Sequence, residues 1–342
     1  MPTTIPHDLY GVPWIRRNDR NPLLCPDDVP YPSSLTFNAG VAKYEGRYVM
    51  VFRNDYFPDN DPARPGTTDL GFAESPDGIS WSVRPTPFLS AGRAREAGGA
   101  FYANRGAEVV QRIYDPRITI VDGRPYICFA MDTAHGVRSG IATTSDFESF
   151  EILSISAPEN RNTVLFPERV GGDFVRLERP FPVYSRPEAE AFDVWIARSA
   201  DLLRWGDHDL VLAVEDVPFS NRKIGPGAPP LRTPKGWLTT FHAVDYDESR
   251  GKNGWEATWK KRYTIGLMLL DLEDPRRLKG LAKTPLMVPQ ADYERSGFRG
   301  DVLFPGGMIA EGEEVRIYYG AADTVECVAS ADLADLLAFV GA

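Results

Sequence analysis

The chain alternates short apolar runs with polar turns, and one arrangement of the two recurs five times. Each copy is a strand, a glycine-containing turn and a second, strongly apolar strand. The copies are GVAKYEGRYVMVFR (40–53), ITIVDGRPYICFA (118–130), FPERVGGDFVRLER (166–179), PPLRTPKGWLTTFH (229–242) and GGMIAEGEEVRIYYG (306–320), with turn glycines Gly46, Gly123, Gly172, Gly236 and Gly312. A polar turn between two such runs marks a β-hairpin. A third strand leading into a Ser/Asp turn follows each hairpin, at 70–78, 139–147, 194–202, 265–274 and 327–333, and Trp81 and Trp205 follow the first and third of these. Five like units of three or four antiparallel strands predict an all-β, five-bladed β-propeller, with residues 1–342 forming one domain. A β-sandwich is the alternative, but it does not require five similar units in register. Helical spacing is confined to DLADLLAFV near the C-terminus.

In a propeller the first strand of each blade lines the central channel. Its start lies beside the end of the second strand, because the two run antiparallel. Polar residues fall at both places. At or just before strand one stand Asn38, Asp115, Arg161, Lys223 and Asp301; at the end of strand two stand Arg53, Asp132, Arg179, His242 and Asp323. Each blade is therefore expected to send polar side chains towards one mouth of the channel. For any single member a turn cap or an inter-blade salt bridge is the competing reading, and for Asp132 and Asp301 the two readings stand level.

Composition changes this picture in one respect. The 342 residues carry a formal charge of -10, which disfavours general binding to nucleic acid or an anionic membrane. Against that background the convergence of Arg161, Arg179, Lys223 and His242 marks a specific anion site, since guanidinium forks and an ammonium suit phosphate oxygens. Gly 30 and Pro 29 favour turns. Three dispersed cysteines, Cys25, Cys128 and Cys327, argue against a disulfide framework or a zinc site. No N-terminal apolar leader and no long apolar run is present, so a cytoplasmic protein is expected.

The segments FNAG (37–40), YDPRIT (114–119), NRNTVLFPERV (160–170), LERP (177–180), KIGPGAPP (223–230), GWLTTFHAV (236–244), LLDLEDP (269–275), VLFPGGM (302–308) and YYGAADT (318–324) occur in this order. In them the chain resembles glycoside hydrolase family 130, the β-mannoside phosphorylases and their hydrolytic relatives, over about residues 20–335. The resemblance implies a five-bladed propeller with its active site in the central cavity. It implies Asp115 as the acid, acting through the mannose 3-hydroxyl, and Arg161, Arg179, Lys223 and His242 as the phosphate ligands. Asn38, Arg53 and Asp323 match its mannose-binding positions. The chain has FNAG, LERP and DVLFP where the family often has FNPG, LHRP and NVVFP. Glu178 and Asp301 are therefore expected to bring negative charge near the site, and the linkage and acceptor stay open.

The charges favour phosphorolysis. An inverting hydrolase needs an acid and a base, whereas phosphate is already an anion and needs one acid plus cations to hold it. The expected products are α-mannose 1-phosphate and a free sugar. Inorganic phosphate is the co-substrate, and no metal or organic cofactor is implied. A β-mannoside hydrolase, a non-catalytic carbohydrate-binding propeller and a three-carboxylate propeller glycosidase are the rivals; none of them calls for four basic residues. One tension remains, because neighbouring cations lower the pKa of an acid that must hold a proton. The insertions 90–112 and 245–262 flank Asp115 and His242, and their aromatics Phe101, Tyr102, Trp255 and Trp259 suit either an acceptor site or a packed surface or subunit contact. A homo-oligomer is left open, and WKKR (259–262) reads as a solvated face.

Overall fold

The structure, a computed structural model, describes residues 5–64, 66–97, 110–182, 184–186, 190–250 and 259–342. Five antiparallel sheets follow one another along the chain. A short strand β1 (Arg16–Arg17) comes first. Blade one is β2 (Leu35–Tyr44), β3 (Arg47–Tyr56), β4 (Thr67–Ser75) and β5 (Ser82–Val83). Blade two is β6 (Val110–Val121), β7 (Arg124–Thr133), β8 (Gly136–Thr143) and β9 (Glu151–Ile155). Blade three is β10 (Asn160–Leu165), β11 (Phe174–Pro180), β12 (Val194–Ser199) and β13 (Gly206–Leu212). In blade four the inner strand is split into β14 (Lys223–Pro226) and β15 (Leu231–Thr233), which both pair with β16 (Gly236–Tyr246); β17 (Lys261–Leu270) and β18 (Leu278–Leu281) complete it. Blade five is β19 (Leu303–Glu311), β20 (Glu314–Ala321) and β21 (Val325–Asp332).

The fourth strand of blade five comes from the other end of the chain. Arg16 and Arg17 of β1 pair with Ser330 and Ala329 of β21, which closes the ring. Among the described residues three α-helices accompany the sheets: α1 (Ala91–Ala97), α2 (Asp292–Arg295) and α3 (Leu333–Phe339). The last is the helix expected from DLADLLAFV. Among the described residues no helix is long and apolar enough to cross a membrane, and Cys25, Cys128 and Cys327 are free thiols.

The apolar runs are explained by where the cores lie. There is one core between each pair of neighbouring blades, so both faces of a blade are covered. Val49 and Val51 pack towards Ile113, Ile127 and Phe129 of blade two. Their neighbours Met50 and Phe52 pack towards Ile309 and Tyr318 of blade five. A strand buried on both faces needs apolar residues at successive positions rather than alternate ones. YVMVF and YICFA are such runs.

The five glycine turns fall between first and second strands, as expected. The Ser/Asp turns after the third strands repeat one device. Asp77, Asp146, Asp201 and Asp271 each accept two backbone N–H bonds from residues two and three positions on. An Asx turn of this kind closes the backbone without a partner strand.

Candidate active site

The inner strands carry a repeated irregularity. The register between first and second strands slips from Phe37 to Gly40, from Tyr114 to Arg117 and from Arg161 to Val164. Inside these slips sit Asn38, Asp115 and Asn162, with φ of 54°, 52° and 60°. Asn and Asp tolerate that region better than other non-glycine residues. A bulge re-aims the side chain it contains. Blade five has its slip between Pro305 and Gly307. There the extra residue is Gly306, where a Cβ would lie 1.8 Å from the Ala39 carbonyl oxygen. Blade four breaks its inner strand altogether, between β14 and β15.

Asp115 is buried, and two groups hold it. Asn38 Nδ2 donates to Asp115 Oδ1 at 3.0 Å, and Arg53 Nη1 lies 3.4 Å from the same oxygen. Both contacts fall on Oδ1. Burial pushes the carboxyl upward, but Arg53, the Asn38 bond, Arg161 and Arg117 outweigh it, so Asp115 lies below the usual carboxylate range. The tension expected from sequence is therefore present. Asp323 shows the opposite balance: burial raises it and outweighs Arg299 and Arg53. Its Oδ2 accepts from Arg299 at 3.3 Å. Arg53 is engaged mainly by carboxylates, with Nε and Nη2 on the two oxygens of Asp55 at 2.9 and 2.6 Å.

The four basic residues do assemble. Arg161 and Arg179 are register partners on β10 and β11. Arg179 Nη1 donates to His242 Nε2 at 2.8 Å. Since Nε2 is the acceptor, the imidazole proton sits on Nδ1. Lys223, opening β14, is buried on the same side, 3.7 Å from Glu190. Burial and the mutual repulsion of these groups act together. Arg179 is lowered to about 9, by burial first and Arg161 second. Lys223 falls well below its usual value through burial, Arg179 and Lys261. His242 falls well below its own through burial, Arg179 and Lys223, so the imidazole is neutral. The imidazole thus enters the basic pocket as a neutral group. Arg161 Nε, Arg179 Nε and His242 Nδ1 are buried and lack a partner, as do the carbonyl oxygens of Asn38 and Asn162. Unmet buried donors in one place are hydrogen-bonding capacity for a ligand.

Other expectations change. Glu178 and Arg179 are successive strand residues and point to opposite faces. The Glu178 carboxylate is taken up by Arg176 at 2.7 Å, His208 at 2.6 Å and Asn160 at 3.0 Å, so its charge is met outside the anion pocket. Asp301 lines a separate cavity of about 520 Å³ with His7, Tyr10, Arg250, Arg262 and Arg295. Asp132 accepts from the Tyr114 hydroxyl at 2.6 Å. WKKR is not a solvated face: Trp259 is buried, its Nε1 donating to Gly300 O at 2.9 Å. Lys261 pairs with Glu190 at 2.6 Å and Arg262 with Asp245 at 3.0 Å. Phe101, Tyr102 and Trp255 lie outside the described residues.

Several residues at the site escaped the sequence reading. Arg117 is buried at the axis, with Nε on Gly227 O at 2.6 Å, Nη2 on Pro305 O at 2.8 Å and Nη1 on Pro116 O at 2.7 Å. It joins blades two, four and five and bears electrostatically on Asp115. Glu326 is buried beside it, with Oε2 accepting from Ala39 N at 3.1 Å; burial pushes it up to about 8. Tyr263 stacks on His242, and burial raises its hydroxyl to about 12. The signal available for Arg117 was its place in YDPR. Glu326 and Tyr263 lie in apolar strands and carried no signal.

The family model described as beta-1,4-mannooligosaccharide phosphorylase matches residues 15–341. The chain belongs to glycoside hydrolase family 130. Among family relatives, the Beta-1,2-mannobiose phosphorylase of Listeria innocua is 31% identical, over 91% of this chain and 94% of that protein. The Beta-1,4-mannooligosaccharide phosphorylase of Ruminococcus albus is 30% identical, over 98% and 92%. The solved structure of the Listeria innocua Beta-1,2-mannobiose phosphorylase, in complex with beta-1,2-mannobiose, superposes with a TM-score of 0.76 at 28% identity, covering 96% of this chain and 99% of that one.

Proposed function

We propose that this family 130 member is an inverting β-mannoside phosphorylase. Phosphate attacks the anomeric carbon of a β-mannosyl disaccharide or oligosaccharide. The bond from that carbon to the glycosidic oxygen breaks as the bond to a phosphate oxygen forms. The products are α-mannose 1-phosphate and a free sugar. The observation that carries this reading is the pairing of one carboxyl, Asp115, with a pocket of basic groups whose buried donors have no protein partner. A hydrolase needs a second carboxylate to activate water. The cluster of Arg161, Arg179, Lys223 and His242, with Arg161 acting directly on the Asp115 carboxyl, suits an anionic nucleophile instead.

In this reading Asp115 gives its proton to the departing oxygen, while Asn38 and Arg53 hold Oδ1 still. Arriving phosphate opposes the guanidiniums that depress Asp115 and so favours its protonated form. The same anion lifts Lys223 and His242 towards their charged forms. Asn38 and Asp323 hydrogen-bond mannose hydroxyls, and Arg53 does so with the N–H groups left over from Asp55 and Asp115. Phosphate is a co-substrate, and the protein works in the cytoplasm.

The test is an assay of β-1,2- and β-1,4-mannobiose with and without phosphate. Turnover is expected only with phosphate, and the sugar product is expected as α-mannose 1-phosphate. Release of free mannose at an equal rate without phosphate overturns the proposal. Running the reaction backwards, from α-mannose 1-phosphate and a panel of acceptors, then identifies linkage and acceptor.

A further inference from the structure

Tyr114 stands one residue before Asp115 and is buried, yet its hydroxyl meets two charged groups. It accepts from Arg161 Nη1 at 3.2 Å and donates to Asp132 Oδ1 at 2.6 Å. The directions are forced, because a guanidinium only donates and a carboxylate only accepts. Asp132 is held in turn on its other oxygen, with Arg112 Nε at 3.1 Å from Oδ2. The Tyr114 ring is flanked by the guanidiniums of Arg53 at 5.1 Å, Arg112 at 5.3 Å and Arg161 at 5.9 Å. Burial pushes its hydroxyl up to about 12, so it stays protonated and donates its hydrogen bond to Asp132.

We infer that Asp132 and Tyr114 form a positioning relay that fixes the guanidinium of Arg161 for phosphate. The inference rests on the reading of Arg161 as a phosphate ligand. Arg161 has no carboxylate partner of its own among the described contacts, and its Nε is unpartnered. A long side chain with one free edge must be held by its other edge if it is to present a fixed pair of donors. The relay does this without a direct salt bridge. A carboxylate directly on Arg161 would compete with phosphate for the same fork. The phenol lets Asp132 act from one hydrogen bond further away, leaving the fork open. Neither residue touches substrate in this scheme.

Kinetics separate this role from a purely structural one. Tyr114→Phe keeps the ring and removes the bridge. It is expected to raise the KM for phosphate roughly 3- to 10-fold, the range for one lost hydrogen bond. The KM for the mannoside and kcat at saturating phosphate should stay within about twofold. Asp132→Ala should give the same pattern, and Asp132→Asn, which can still accept from Tyr114, a smaller effect. The deciding measurement is the double variant. Through a relay, Asp132→Ala has little further effect on the phosphate KM once Tyr114 is Phe. Fully additive effects, or equal rises in both KM values, overturn the relay. Arg161→Lys is the control: a raised phosphate KM there with no change in Tyr114→Phe refutes only the relay. An unchanged phosphate KM in Arg161→Lys refutes the anion-site reading, and the relay with it.

Discussion

Asp115 faces opposed electrostatic demands, and its neighbours are chosen accordingly. Arg53 and Asn38 hold the carboxylate on one oxygen, at the cost of making it more acidic. Replacing it with Asn preserves shape and the Asn38 contact but removes the proton. Turnover should fall by roughly 100-fold or more, with phosphate binding retained in calorimetry. The basic pocket makes a second prediction. Lys223 and His242 are held below their usual pKa values mainly by burial, and an incoming dianion opposes that shift. Binding of the phosphate dianion is therefore expected to be accompanied by net proton uptake. Calorimetry in buffers of different ionisation enthalpy reads this directly. Glu326 gives a third. Its folded value, about 8, lies above the ordinary glutamate value of 4.5. The native state therefore holds a proton that the unfolded state has released, and stability attributable to this group falls as pH rises from about 4.5 to 8. Glu326→Gln, compared with the parent by chemical unfolding, should gain relative stability across that window and not below it.

The strand is the scale at which the site is aimed. Inner-strand bulges in blades one, two and three place Asn38, Asp115 and Asn162 at positive φ in corresponding positions. Hairpins and third strands were legible in the sequence because their turns carry Gly, Ser and Asp for local reasons. The bulges were legible only in part. FNAG, YDPR and NRNT each put Asn or Asp at the irregular position, but their effect on direction depends on a slip against the neighbouring strand. Gly306 completes the series in blade five by close approach. Gly306→Ala would drive a methyl group into the Ala39 carbonyl, next to Asn38. A loss of about 1–3 kcal/mol is expected, seen as a lower melting temperature with reduced affinity for the mannoside.

Over the whole molecule, closure of the ring depends on very few residues. β1 is two residues long, too short for any periodicity, and the sequence reading missed it. Its hold on the rest is electrostatic as much as backbone pairing. Arg17 Nε and Nη2 lie 2.7 and 3.0 Å from the two oxygens of Glu294, which is fully buried and also accepts from the Tyr319 hydroxyl at 2.7 Å. Removing one partner strands the other charge. Arg17→Ala should cost about 3 kcal/mol, measurable by thermal unfolding, with blade five loosened first in hydrogen exchange. Arg117 plays the complementary part at the axis, where three carbonyls from three blades meet one guanidinium.

Local order was written in the chain itself: five repeats, their turns, and the succession of Asn38, Asp115, Arg161, Arg179, Lys223, His242 and Asp323 along them. Such features depend on near neighbours and on strand alternation. What only the folded molecule decided was the state and company of those groups. His242 is neutral because burial first, and then the positive charges of Arg179, Lys223, Arg117 and Arg161, oppose its protonation. Arg53 is turned to Asp55, Glu178 faces away, and WKKR is half buried. Burial and Coulomb interaction depend on distances in space, and residues far apart in sequence set them.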